Sequence, residues 1–237
     1  MNITKRDALI TALSYADIFD YPLTEEELQV WVPYGVIRPP LAVLQGVALR
    51  KLIYRAVFHD TVYYSLRSTK QLITTRNKRA AWSIKKWNRA RWAAGLVRWI
   101  PSVRLVGVTG GLTRSNAKDQ DDIDLFIICA SKTLWITRAM TTILLDIVRL
   151  RRRPKDQNVQ NLICLNMFMS EDGLRLPTKE RDLFSAHEVL LMTPLWGREG
   201  VYEHFLSVNP WVKKFLPTAW EQQKMNYESR IMNYEKS

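Results

Sequence analysis

One stretch, VRLVGVTGGLTRSNAKDQDDIDLFII (residues 103–128), constrains the rest of the chain. Val103 to Val108 reads as a strand, Gly110-Gly111 as a turn, and a second strand then carries Asp122 and Asp124. Side chains alternate faces along a strand, so Asp122 and Asp124 present two carboxylates side by side while Ile123 and Leu125 face the other way. Like charges that close repel in a low dielectric and need a compensating cation. Hard oxygen donors suit Mg²⁺ or Mn²⁺, and Mg²⁺ is commonly held by one or two carboxylates together with substrate phosphates. Glycines adopt backbone conformations other residues avoid and let amide N–H groups approach those phosphates. The stretch therefore reads as a site for a divalent metal and a nucleoside triphosphate.

The run Gly110-Gly111-Leu112-Thr113-Arg114 followed by Asp122-Ile123-Asp124-Leu125 resembles the signature of polymerase-β-like nucleotidyltransferases, over about residues 100–215. The resemblance implies an α/β (α+β) fold, a small mixed sheet with flanking helices. It implies that Asp122 and Asp124 hold Mg²⁺ (or Mn²⁺), that Gly110, Gly111 and Arg114 hold the phosphates, and that NMP passes to a hydroxyl acceptor. In that family a third carboxylate stands on a neighbouring strand. The matching strand here, NLICLNMFM (161–169), offers Asn166, an amide that can touch a cation but carries no charge and cannot act as a base. Glu171, Asp172 and Glu188 are substitute candidates.

Ahead of this region, residues 4–19 show helical apolar spacing that stops at Tyr21-Pro22, and Thr24 with Glu27 forms a capping box for a helix to about Trp31. A third helix over 41–52 and two β-type runs around His59-Asp60 complete a winged-helix-like pattern. Such a module reads DNA or packs on a partner. The 41–52 helix has polar groups mainly at its C-terminal end, which favours packing. Residues 68–100 predict a long basic helix whose apolar face runs through Ile73, Ala80, Ile84, Trp87 and Ala94, with Trp82 and Trp92 off it. Its aromatics and cations suit base stacking, or a connecting helix packed on both domains. The expected segments are 1–67, 68–100, 101–217 and a tail, 218–237.

Further helices are expected over 131–150, 179–192 and 200–215. Arg151-Arg152-Arg153 would complement the dipole of the first, and His187-Glu188 lie too far apart around the second to form an acid–base pair. Cys129 and Cys164 sit in apolar runs as reduced thiols, with no zinc-type spacing around them, and the expected compartment is the cytoplasm. No run is long and apolar enough for a membrane span. A net charge of +12 is concentrated where acids are absent, from Thr61 through Lys118, which suits nucleic acid or an acidic protein partner. The competing functional reading is a nucleic-acid-binding regulator, or a partner-binding protein, whose transferase domain only senses nucleotide.

Overall fold

Thr4 opens the first helix, α1 (Lys5–Ile18), by accepting from the Asp7 N–H at 3.2 Å. Ala8, Leu9, Ala12, Leu13 and Ala16 form its buried face, as the apolar spacing requires. The structure, a computed structural model, describes residues 4–35 and 52–223. After the turn at Asp20 come β1 (Leu23–Thr24) and α2 (Glu25–Trp31). The capping box is present in full: Glu27 N–H donates to Thr24 Oγ1 at 3.2 Å and Thr24 N–H to Glu27 Oε2 at 2.9 Å. Strands β2 (Tyr54–Phe58) and β3 (Thr61–Ser65) form a hairpin. Both turn residues, His59 and Asp60, have positive φ, which matches the twist of paired strands. The three strands pair antiparallel in the order β1-β3-β2. The helix expected over 41–52 lies almost wholly outside the described residues.

Helix α3 (Thr69–Val97) is unbroken, and its buried face is the expected one only in part: Ile73 and Ala94 are buried and Trp87 packs on the core, but Ile84 is not inward. Leu72, Ile73, Arg79, Ser83, Lys86, Ala90, Ala93, Ala94 and Val97 are buried, whereas Ile84 is 66% exposed. Polar residues can take inward positions because each finds a partner. Ser83 Oγ donates to Arg79 O at 2.7 Å and accepts from Ala117 N at 3.3 Å, and Lys86 reaches three oxygens.

Contacts divide the chain into two units. Of the described residues, one takes those up to Asn77, Arg181–Leu190 and those from Trp211; the other takes Lys78–Glu180 and Leu191–Pro210. The first is centred on Leu9, Leu13, Leu23, Leu28 and Tyr64. It includes α5 (Leu183–Leu191), whose buried His187 stacks on Tyr15 with ring centroids 3.7 Å apart, and its Nδ1 lies 2.8 Å from Leu183 O. His187 is therefore a core residue.

The second unit holds a four-stranded mixed sheet in the order β6-β5-β4-β7. Strand β4 (Val103–Val108) runs antiparallel to β5 (Ile123–Cys129) and to β7 (Thr193–Gly197). Strand β6 (Ile163–Ser170) is parallel to β5, and α4 (Leu134–Ile147) makes the crossover that a parallel pair needs. The core gathers Ala90, Ala94 and Val97 of α3 with Val106, Ile123, Leu125, Ile127, Leu145 and Ile163. The expected helix over 200–215 is two helices, α6 (Val201–Ser207) and α7 (Val212–Phe215). Pro210 lacks an N–H, and the buried Asn209 side chain bonds Leu174 O at 2.8 Å and Phe205 O at 2.9 Å instead.

Candidate metal and nucleotide site

Strand β4 delivers the chain to the site through Thr109, whose N–H donates to Asp124 O at 3.0 Å. Gly110 follows with φ +71°, a conformation that disfavours a side chain. Space imposes the same choice: a Cβ there would lie 2.8 Å from Asp124 Oδ2. At Gly111 an added Cβ would meet only ordinary contacts, the nearest at 3.5 Å from Asn116 O. Gly110 to Arg114 form one tight turn of helix, closed by Ser115 with φ +52° and by Asn116 N–H on Gly111 O at 2.9 Å. Arg114 is partly buried at the end of that turn. Thr109 precedes that turn, and its buried hydroxyl has no hydrogen-bond partner among the described residues.

Asp122 and Asp124 flank Ile123, which is fully buried and locks the register. A third donor joins them: one ligand atom each of Asp122, Asp124 and Cys164 lies within 4.8 Å of the others. Register brings Cys164 there, since Asp124 is the cross-strand partner of Cys164 and Ile123 of Ile163. Asn166, the residue expected beside the carboxylates, is the extra residue of a bulge. Leu125 pairs with Leu165 and Phe126 with Met167, so Asn166 has no register partner, and it is exposed. The substitutes are engaged elsewhere. Glu171 pairs with Arg104 at 3.3 Å and Asp172 accepts from the Ser170 hydroxyl, both just past the opposite end of β6. Glu188 lies in the first unit.

Two cations to which the sequence reading gave other roles, Arg152 and Lys86, complete the geometry. Arg152 Nη1 donates to Asp122 Oδ2 at 2.6 Å, and the Arg152 N–H bonds Ile163 O at 2.8 Å, which fixes the arginine beside β6. Its neighbours Arg151 and Arg153 both pair with Asp146, at 2.8 and 3.1 Å. The cluster thus neutralises carboxylates, and none of it lies in the last turn of α4. Lys86, fully buried, donates to Asp119 O at 3.0 Å, Asp121 O at 2.5 Å and Asn161 Oδ1 at 3.1 Å. It ties the approach to β5 to the approach to β6. A lysine three residues past Ser83 and four before Ala90 on a buried stripe was its only trace in the sequence.

Electrostatically the carboxylate pair is under-compensated. Burial, and then the charge of Asp122, push the Asp124 carboxyl above its ordinary range, against the Cys164 hydrogen bond and Arg152. Burial, and then the charges of Asp124 and Asp122, push the Cys164 thiol up to about 11. The resting arrangement is two carboxylates, one of them on Arg152, with a protonated thiol against the other. Two convergent carboxylates short of positive charge fit a divalent cation, which Asp122 and Asp124 would hold.

No family model matches this sequence, and none of the curated proteins matches it. A solved structure, the crystal structure of a toxin-antitoxin with AMP-PNP, contains a chain that is 15% identical over 63% of this chain and 99% of its own. Its TM-score is 0.30, too small a likeness to carry fold or function across.

Proposed function

We propose that this chain is a divalent-metal-dependent nucleotidyltransferase of the polymerase-β-like kind. The observation that carries the reading is the fit of Gly110 against Asp124. A left-handed glycine at the end of β4 presses the turn backbone onto a carboxylate that has Asp122 and Cys164 beside it. The strand arrangement supports it, with β4 antiparallel and β6 parallel to the strand carrying Asp124. When bound, the metal supplies the positive charge that a triphosphate and a departing pyrophosphate require.

The chain's own residues then divide the work. Asp122 and Asp124 hold the cation, and the Gly110-Gly111 turn presents backbone to the phosphates with Arg114 at its end. Arg152 balances the charge of Asp122, and its guanidinium would also suit a phosphate oxygen held beside that carboxylate. Lys86 ties the approach to the carboxylate-bearing strand β5 to the approach to β6, which carries Cys164. With a thiol where a third carboxylate would stand, the acceptor's proton passes to solvent, and turnover is slow. The order helix–strand–helix–hairpin in the first unit supports a winged-helix module that presents or recruits the acceptor. The test is incubation with each α-labelled nucleoside triphosphate and Mg²⁺ or Mn²⁺, with and without cell extract. Label should appear on an acceptor with wild type and not with Asp124→Asn; no label with any nucleotide would reject transferase activity.

A further inference from the structure

We propose that Cys164 is the third protein ligand of this metal site, and that with Asp122 and Asp124 it makes a site for a thiophilic divalent ion of the zinc type. This rests on the carboxylate pair being a metal site and concerns which metal the pair selects. The three ligand atoms already converge within 4.8 Å, and the backbone imposes that convergence. Asp124 and Cys164 are register partners on parallel strands, anchored one residue earlier by the buried pair Ile123 and Ile163.

The donor set decides the metal class. Carboxylate and water oxygens suit Mg²⁺ and Mn²⁺, whereas a thiolate favours zinc-type ions. Zinc accepts Cys sulfur and Asp oxygen together, and its catalytic sites use three protein ligands with a fourth position left open. That fourth position would take water or a phosphate oxygen beside Gly110, the residue whose backbone closes on Asp124 Oδ2. Coordination costs the thiol its proton, which leaves to solvent. The spacing of the cysteines gave no sign of this, because the ligands come from two strands.

The experiment uses Co²⁺ and Cd²⁺ as spectroscopic probes and Zn²⁺ as competitor on the full chain, in wild type, Cys164→Ser and Asp124→Asn. Cys129, the other thiol, is buried and donates to Met169 O at 3.3 Å, and it is present in all three proteins. Wild type should show a thiolate-to-metal charge-transfer band with both probes, removed by Zn²⁺ and not by equimolar Mg²⁺. Cys164→Ser should lose the band. Its Zn²⁺ affinity should fall by more than the roughly 10–100-fold that loss of an outer hydrogen-bond partner costs. Its thermal shift with Mg²⁺ and nucleotide should persist. Probe binding without a band, with equal affinity in Cys164→Ser, would overturn the ligand role and leave the carboxylate site standing. A Mg²⁺–nucleotide shift with no probe binding would do the same. No response of any protein to any metal or nucleotide would overturn both this inference and the functional reading beneath it.

Discussion

At the scale of single residues, the account turns on what stands beside Asp124. The two carboxylates and Gly110 were legible in the sequence because alternation along a strand and the needs of a tight turn are local rules. Cys164 was not. Choosing between positions 164 and 166 requires the register of β5 on β6 and the bulge after Leu165, and both are set by partners far apart in sequence. An expectation that picked out the one polar residue inside an apolar strand therefore settled on Asn166. The position makes Cys164→Asp informative. A third carboxylate there crowds one face, so the variant should melt below wild type in chelator and gain more from Mg²⁺. If the new carboxylate takes the acceptor's proton, label transfer should rise by roughly 10²–10⁴-fold. Melting curves and labelled-nucleotide assays in chelator and in Mg²⁺ measure both, and identical behaviour of the variant and wild type would remove residue 164 from the site.

At the scale of elements, helix existence was readable and helix facing often was not. Helix α1 buries the face its apolar spacing marks. Helix α4 does the reverse: Thr137, Thr141 and Leu145 are buried while Ile136, Met140, Ile143 and Ile147 are exposed. Helix α3 buries Ser83 and Lys86, and periodicity cannot foresee the partners that make this possible. Lys86→Met should leave the Asp119 and Asp121 carbonyls without their charged donor and destabilise the protein by about 2–4 kcal/mol, read by urea denaturation. Metal affinity should fall with it, since the loop that Lys86 holds leads into Asp122. Strand β7 went unread because Pro194 and Gly197 argue against a strand, but it is an edge strand, where proline is tolerated.

Glu27 joins three elements. It caps α2, accepts from Tyr21 Oη at 2.8 Å, and receives both guanidinium nitrogens of Arg76 at 2.6 and 2.9 Å. Burial works against the ionised form, but the Arg76 hydrogen bonds and charge outweigh it and hold the carboxyl below its ordinary value. A depressed folded-state value means the stabilisation is complete above the unfolded-state value and is lost as pH falls through the folded one. Glu27→Gln should accordingly be less stable than wild type at neutral pH, with the gap closing in acid below the ordinary glutamate range. Parallel denaturation series across pH check this, and a gap that widened in acid would contradict it.

At the scale of the whole molecule, charge is the property with the longest reach. The net charge is +12, no acid falls between Thr61 and Lys118, and Trp82, Trp92 and Trp99 on or just beyond α3 are 38%, 51% and 75% exposed. Trp87, by contrast, packs against the core of the second unit. Single-stranded nucleic acid should bind at low salt and dissociate steeply as salt rises, and Trp92→Ala should weaken binding by about 1–3 kcal/mol without lowering the melting temperature. A Trp92→Ala protein that melts early with unchanged binding would assign that tryptophan to packing. The long-range joins were beyond reach of the sequence, because Arg181–Leu190 returns to the first unit after a hundred residues of the second. Among the described residues no helix is long and apolar enough to cross a membrane. The most direct test of the central claim is thermal unfolding with Mg²⁺ alone, nucleoside triphosphate alone, and the two together, for wild type and Asp124→Asn. The account predicts that the pair raises the wild-type melting temperature by more than the sum of the separate shifts, and that Asp124→Asn abolishes the excess. A wild-type protein indifferent to Mg²⁺ with any of the four nucleotides at millimolar concentration, or an Asp124→Asn protein that responds as wild type does, would contradict it.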